Sequence, residues 1–122
     1  MLLPWVENKT DSGIGEWIEF EIKDSTGIDA FLISNGYVNF EKPYLYQANN
    51  RVKKFRIQSQ DNDIDFTVIL KDTGQFQEVK LPKSLSSGKK IIRFTIEEVY
   101  KGNKWNDTCV NRIIPIKSKN IK

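Results

Sequence analysis

The chain has 122 residues, 19 Lys and Arg against 16 Asp and Glu, one cysteine and no histidine. Without histidine, Ser-His-Asp and Cys-His nucleophile systems, imidazole proton shuttles and His-ligated zinc or haem are excluded. The single cysteine, Cys109, can neither close an internal disulfide nor build a thiolate metal site, and a net charge of +3 without a basic block argues against nucleic acid.

The length suits one domain over residues 1–122, and no apolar run reaches the roughly 18–20 residues of a membrane span, so no membrane insertion is expected. Met1-Leu2-Leu3-Pro4 is too short for a signal peptide, so either the chain stays in the cytoplasm or a leader has been removed. Only two alanines stand against fifteen isoleucines, and Ile, Val, Phe, Thr, Tyr and Trp make 42 of the 122 residues. Those are strand formers, and the charged residues alternate with them at period 2.

In chain order, Glu16 to Lys23 alternates Ile18, Phe20 and Ile22 with Glu19, Glu21 and Lys23, which predicts a half-buried strand. Asp24-Ser25-Thr26-Gly27 is a turn, Ile28 to Ile33 a second strand, and Asn35-Gly36 a turn signal. Residues 37–50 read as a long ordered loop rich in aromatic rings. Arg51 to Ser59 and Ile64 to Leu70 are strands around a turn at Gln60–Asp63. After a turn at Asp72-Thr73-Gly74, a short strand from Phe76 to Leu81 is stopped by Pro82. A polar loop follows from Lys83 to Gly88. Lys90 to Tyr100 is a long strand, Lys101 to Asp107 a loop, and Cys109 to Ile116 the seventh strand. The lysine-rich tail, 117–122, is expected to fray. Seven closely spaced strands with almost no helical pattern predict an all-β, antiparallel β-sandwich of the jelly-roll kind.

If successive strands run in opposite directions, every second loop falls at the same end of the sandwich. One end then collects the segment before Glu16, the loop after Ser34, the turn at Asp72 and the loop 101–107. It carries Trp5, Glu7, Tyr37, Tyr44, Asn49, Asn50, Arg51, Trp105, Asn106 and Asp107, whereas the other end is ordinary turn material. Binding usually sits on loops of a rigid scaffold. Aromatic faces beside Asn, Asp, Glu and Arg suit a sugar, because a pyranose stacks its C–H face on a ring and its hydroxyls need fixed donors and acceptors. The candidate ligand residues are therefore Trp5, Glu7, Tyr37, Asn49, Arg51, Trp105 and Asp107.

Structural readings stand beside these. Trp5 equally suits a plug for the sandwich end, and Arg51 an ion pair with Asp107 or Glu7 that pins the loops. Asn35-Gly36 reads better as a turn than as a ligand contact. The lysines at 53, 54, 89 and 90 read as solvated strand faces. Asn8-Lys9-Thr10 and Asn106-Asp107-Thr108 match the glycosylation sequon, a triplet common by chance. Glu97 and Glu98, adjacent on a strand, should point to opposite faces and so form no catalytic carboxylate pair. Asp61, Asp63 and Asp65 start like a calcium loop but lack the later Gly and Glu, which leaves a solvated turn. No catalytic site, metal or cofactor is expected.

An ordered set of short motifs resembles a discoidin-like family, the NADase-type glycan-binding domains found on bacterial NAD glycohydrolase toxins and other bacterial proteins. The motifs are Trp5-Val6-Glu7, Gly13-Ile14-Gly15-Glu16-Trp17-Ile18-Glu19-Phe20, Ser34-Asn35-Gly36-Tyr37, Asn49-Asn50-Arg51-Val52-Lys53, Leu70-Lys71-Asp72-Thr73, Gln77-Glu78-Val79, and Val99-Tyr100-Lys101-Gly102 through Asp107-Thr108-Cys109. They cover roughly residues 5–116. The resemblance implies a galactose-binding-like jelly roll, acting as a non-catalytic carbohydrate-binding module of an extracellular or cell-surface protein. Its partners would be a glycan or glycoconjugate and other domains of a larger protein. A discoidin-like protein-interaction domain without sugar specificity is the alternative. Family members usually begin with a strand and an Asp-Gly turn before the Trp, so that first strand is expected to be missing here. Related domains hold calcium between that turn and the region after the Cys. With the turn missing and Asn111-Arg112 in place of the usual Ser-Glu, no calcium is expected.

Overall fold

The computed structural model describes the backbone of Trp5 and Val6 and residues 13–61 and 63–118. The described residues form eight strands: β1 (Trp5–Val6), β2 (Trp17–Ile22), β3 (Ala30–Asn35), β4 (Asn50–Ser59), β5 (Asp65–Ile69), β6 (Gln77–Lys80), β7 (Lys90–Tyr100) and β8 (Thr108–Ile116). The seven expected strands recur with ends shifted by a residue or two. The additional β1 is a two-residue bridge, Trp5 opposite Val110 and Val6 opposite Cys109. Within 37–50, the expected loop contains one helical turn, α1 (Leu45–Ala48). Pro43, with its fixed φ, leads into it, and Asn49 ends it by donating both its backbone N–H and its side-chain amide to the Leu45 carbonyl.

Hydrogen bonding runs in the order β2-β7-β4-β8-β3-β6, with β1 on β8 and β5 on β4. All pairings are antiparallel except β4 with β8. That exception follows from strict alternation, since the fourth and eighth strands must run the same way. They share only Asn50–Thr108 and Arg51–Cys109. Beyond this seam β4 takes β5 as its neighbour and β8 takes β3. The result is two layers, β2-β7-β4-β5 and β6-β3-β8-β1, stitched together at one end. The all-β sandwich expected from the sequence is the observed fold.

The layers meet on Phe94 of β7. Its ring packs edge-on against Phe31 of β3 at 5.1 Å across the layers, and against Phe20 and Phe55 within its own layer. Ile33, Val52, Ile57, Ile64, Leu70, Ile92 and Ile96 complete a buried core around it. The apolar phase of β4 slips by one residue between Val52 and Phe55, and register shifts on both sides of Lys54 absorb the slip. The same bulge lets the Lys54 ammonium reach both Glu97 (3.8 Å) and Glu98 (3.7 Å). Alternation alone had placed those two carboxylates on opposite faces.

The far end of the sandwich is closed by turns. The Ser25 hydroxyl donates to the carbonyls of Ser86 and Gly88. Asp61 pairs with Lys90, Asp63 with Lys83 and Asp65 with Arg56, so each carboxylate of the calcium-like run has a protein cation. Lys53 lies over the Tyr100 ring; with Lys54 and Lys90 it belongs to paired side chains rather than to a merely solvated face. Ser118 donates twice to Asp29, tying down the start of the expected frayed tail.

Candidate functional site

Strand alternation brings the chemically distinctive loops together as the sequence implied. The loop 101–107 folds back on α1 and the start of β4. Asn103 donates its N–H to the Gln47 carbonyl, and Lys104 and Trp105 both donate to the Ala48 carbonyl. Asn50, wholly buried, commits its side chain to the same loop. Its oxygen accepts from the Gly102 N–H at 2.6 Å, and its amide donates to the carbonyl (3.0 Å) and side-chain oxygen (2.9 Å) of Asn106. Its backbone N–H meets the Asp107 carbonyl at 2.8 Å. At Gly102 a Cβ would lie 2.5 Å from the Asn49 carbonyl carbon, so only glycine permits this approach.

A second group locks the loop after β3 to the turn after β5. The Arg51 guanidinium, 8% exposed, binds Asp72 at two points, Nε to Oδ1 (3.0 Å) and Nη2 to Oδ2 (2.7 Å). Its Nη1 donates to the carbonyls of Asn49 and Lys101. The Tyr46 hydroxyl donates to Asp72 Oδ1 at 2.7 Å, and the Tyr46 ring lies under the guanidinium at 5.0 Å. The Arg51 hydrogen bonds hold the Asp72 carboxyl below its ordinary range. Burial, then the bond to Asp72, push the Tyr46 phenol above its own. Gly36, at φ +81°, sits against that ring: a Cβ there would fall 2.5 Å from Tyr46 Cε1.

The seven expected ligand residues divide. Glu7 and the side chain of Trp5 lie outside the described residues. Arg51 is turned inward, and its partner among the described residues is Asp72 rather than the expected Asp107. Asn49 is buried and caps α1. Tyr37 and Asp107 are half-buried at the loop end. Trp105 is 40% exposed, with the Lys104 ammonium 4.6 Å from its ring centre. The expected turn residue Asn35 is buried and pairs like a strand, its side chain bonding both the N–H and the carbonyl of Val52.

Sequence reading passed over Tyr46, Asp72 and Phe40. Asp72 lies in one of the family-like motifs, but nothing local marks its pairing with Tyr46 and Arg51, because the three meet only in the fold. Phe40 is 95% exposed on a turn that Asn39 fixes by accepting from the N–H groups of Glu41 and Lys42. Its signal is an aromatic residue among polar neighbours with no period 2. Among the described residues no group of three or more His, Cys, Asp or Glu side chains converges as a metal site. The Asn111 amide donates to the Ser34 hydroxyl at 3.0 Å. No described helix is long and apolar enough to cross a membrane.

The fold is similar to the NMR structure of the Streptococcus pyogenes NAD+-glycohydrolase translocation domain. The two share 19% identity over 94% of this chain and 98% of that one, with a TM-score of 0.60. No curated protein matches the chain. A family model, the NAD glycohydrolase translocation F5/8 type C domain, matches residues 1–115. With nearly the whole length matched, the chain belongs to the NAD glycohydrolase translocation F5/8 type C domain family.

Proposed function

We propose that this chain is a non-catalytic carbohydrate-binding module of a bacterial protein that acts outside the cell or at its surface. Its other domains would include an NAD glycohydrolase of the kind the family name describes. The observation that carries the reading is Trp105. This residue stands 40% exposed on a loop whose backbone is fixed by α1 and Asn50. A ring held rigidly in solvent costs little further entropy when a pyranose stacks on it. Of the other candidates, Tyr37 and Asp107 are the more accessible at this end and Arg51 and Asn49 support the loops, while Trp5 and Glu7 are kept as candidates from the sequence alone.

A glycan array probed with the chain tests the reading, with Trp105→Ala as control. Binding to a defined glycan set that Trp105→Ala abolishes, at an unchanged melting temperature, is the expected result. No binding at high module density overturns it. Weak monovalent affinity is compatible, because such modules gain avidity from repeated contact. The second reading, a protein-interaction domain without sugar specificity, is favoured by Phe40, whose ring is almost fully exposed on a fixed turn.

A further inference from the structure

We infer that the loop end selects an acidic saccharide, one bearing carboxylate or sulfate groups, which Lys104 meets beside Trp105 and Lys101 from the same loop. This rests on the carbohydrate reading above and adds the class of sugar.

The first ground is the exposed ring itself. The Lys104 ammonium lies 4.6 Å from the centre of Trp105, so a ligand approaching that indole meets a cation at the same place. The second is what the internal bonds leave over. The Asp72 oxygens are taken by Arg51 and Tyr46. The side-chain oxygens of Asn50 and Asn106 accept from Gly102 and from Asn50. These acceptors are thus committed within the protein. The exposed Lys101 and Lys104 ammoniums add donors and no acceptors.

The third ground is the pairing of charge. At the far end Lys90 and Lys83 are held by Asp61 and Asp63. At the loop end the ion pair is Arg51–Asp72, and among the described residues Lys42, Lys101 and Lys104 have no carboxylate partner. Glu41, on the turn that carries Phe40, and half-buried Asp107 also lie at this end; on the loop 101–107 itself two exposed lysines stand against the one carboxylate of Asp107. An acceptor-rich anionic ligand therefore complements what is exposed, and a polymer of acidic sugars would engage both lysines of the loop at once.

Binding of the full chain to immobilised polymers tests this. The acidic probes are hyaluronan, heparin, polygalacturonate and polysialic acid; the neutral ones are dextran, galactan and mannan. The expected result is binding to an acidic polymer that weakens as salt rises from about 50 to about 300 mM. The double variant Lys101→Ala/Lys104→Ala should weaken it about tenfold or more. Both lysines are exposed, so its melting temperature should hold. Lys23→Ala/Lys89→Ala, exposed at the far end, should leave binding intact. Binding to neutral polymers alone, indifferent to salt and to the lysines, overturns the acidic specificity and leaves the carbohydrate reading standing. Equal losses in the two double variants mean diffuse attraction and overturn it as well. Binding to neither set overturns both readings.

Discussion

Arg51 and Asp72 form a two-point ion pair that joins the start of β4 to the turn after β5, and the Tyr46 hydroxyl completes it from the α1 turn. Three chain segments therefore share one carboxylate at the end that carries Trp105. Loops of this length would ordinarily move; here their polar groups are spent on one another, so the surface they present is fixed in advance.

Replacing Arg51 with Ala should destabilise the domain by about 2–4 kcal/mol, because the carbonyls of Asn49 and Lys101 and the Asp72 carboxylate lose their donor together. Asp72→Asn should cost less, about 1–2 kcal/mol, since Asp72 sits at the surface and its amide can still accept a hydrogen bond. Urea melts of the two variants check the order; an Arg51→Ala as stable as the parent would show the lock to be ornamental.

The same lock sets a pH window. Asp72 has its pKa lowered by the Arg51 hydrogen bonds, so its contribution is present above the unfolded carboxylate value of about 3.9 and is lost as pH falls through the folded value. Tyr46 has its pKa raised by burial and by Asp72, so its contribution is present below the unfolded phenol value of about 10 and is lost as pH rises towards the folded one. Between these limits neither group makes stability depend on pH. Melting temperature against pH reads this directly, and Asp72→Asn should lessen the loss on the acid side, where Asp24, Asp61 and Asp65 are lowered as well.

Gly36→Ala should cost about 2–4 kcal/mol, because the new methyl meets the Tyr46 ring at 2.5 Å and the backbone is at φ +81°. Gly88→Ala shares a positive φ but meets nothing within 4 Å, so only the backbone term of about 1 kcal/mol remains. Equal losses in thermal melts would mean that the ring packing against Gly36 contributes nothing.

Phe94→Ala should be the most damaging single change in the core, at about 3–5 kcal/mol, since it removes three edge-on ring contacts and opens a cavity between the layers. Chemical denaturation measures it. Trp17→Ala on the outer sheet face, where the ring is half exposed under Arg93, should cost clearly less.

Asn50→Ala should loosen the loop 101–107, because three side-chain bonds to it vanish inside a buried site. The expected loss is about 2–3 kcal/mol. Faster amide exchange over residues 101–107 than over β7 would mark the effect as local to the loop.

The sequence by itself determined the strands and the sandwich. Alternating runs such as Ile92-Arg93-Phe94-Thr95-Ile96 state a half-buried strand without any partner, because side chains on a strand alternate faces by geometry. Alternation of strand direction then sorted the loops to two ends, and the hydrogen bonds between 101–107, α1 and β4 agree with that sorting. Only the tertiary structure decided which polar residues face inward. Arg51, Asp72 and Tyr46 are separated by up to 26 residues, and nothing local marks a carboxylate in a turn as the partner of a strand arginine. The bulge at Lys54 and the strand-like pairing of Asn35 are likewise invisible in composition, since each exists only against a neighbouring strand. Periodicity is a property of one segment; pairing is a property of two, and it is pairing that set Arg51 inside the protein and left Trp105 and its lysines outside.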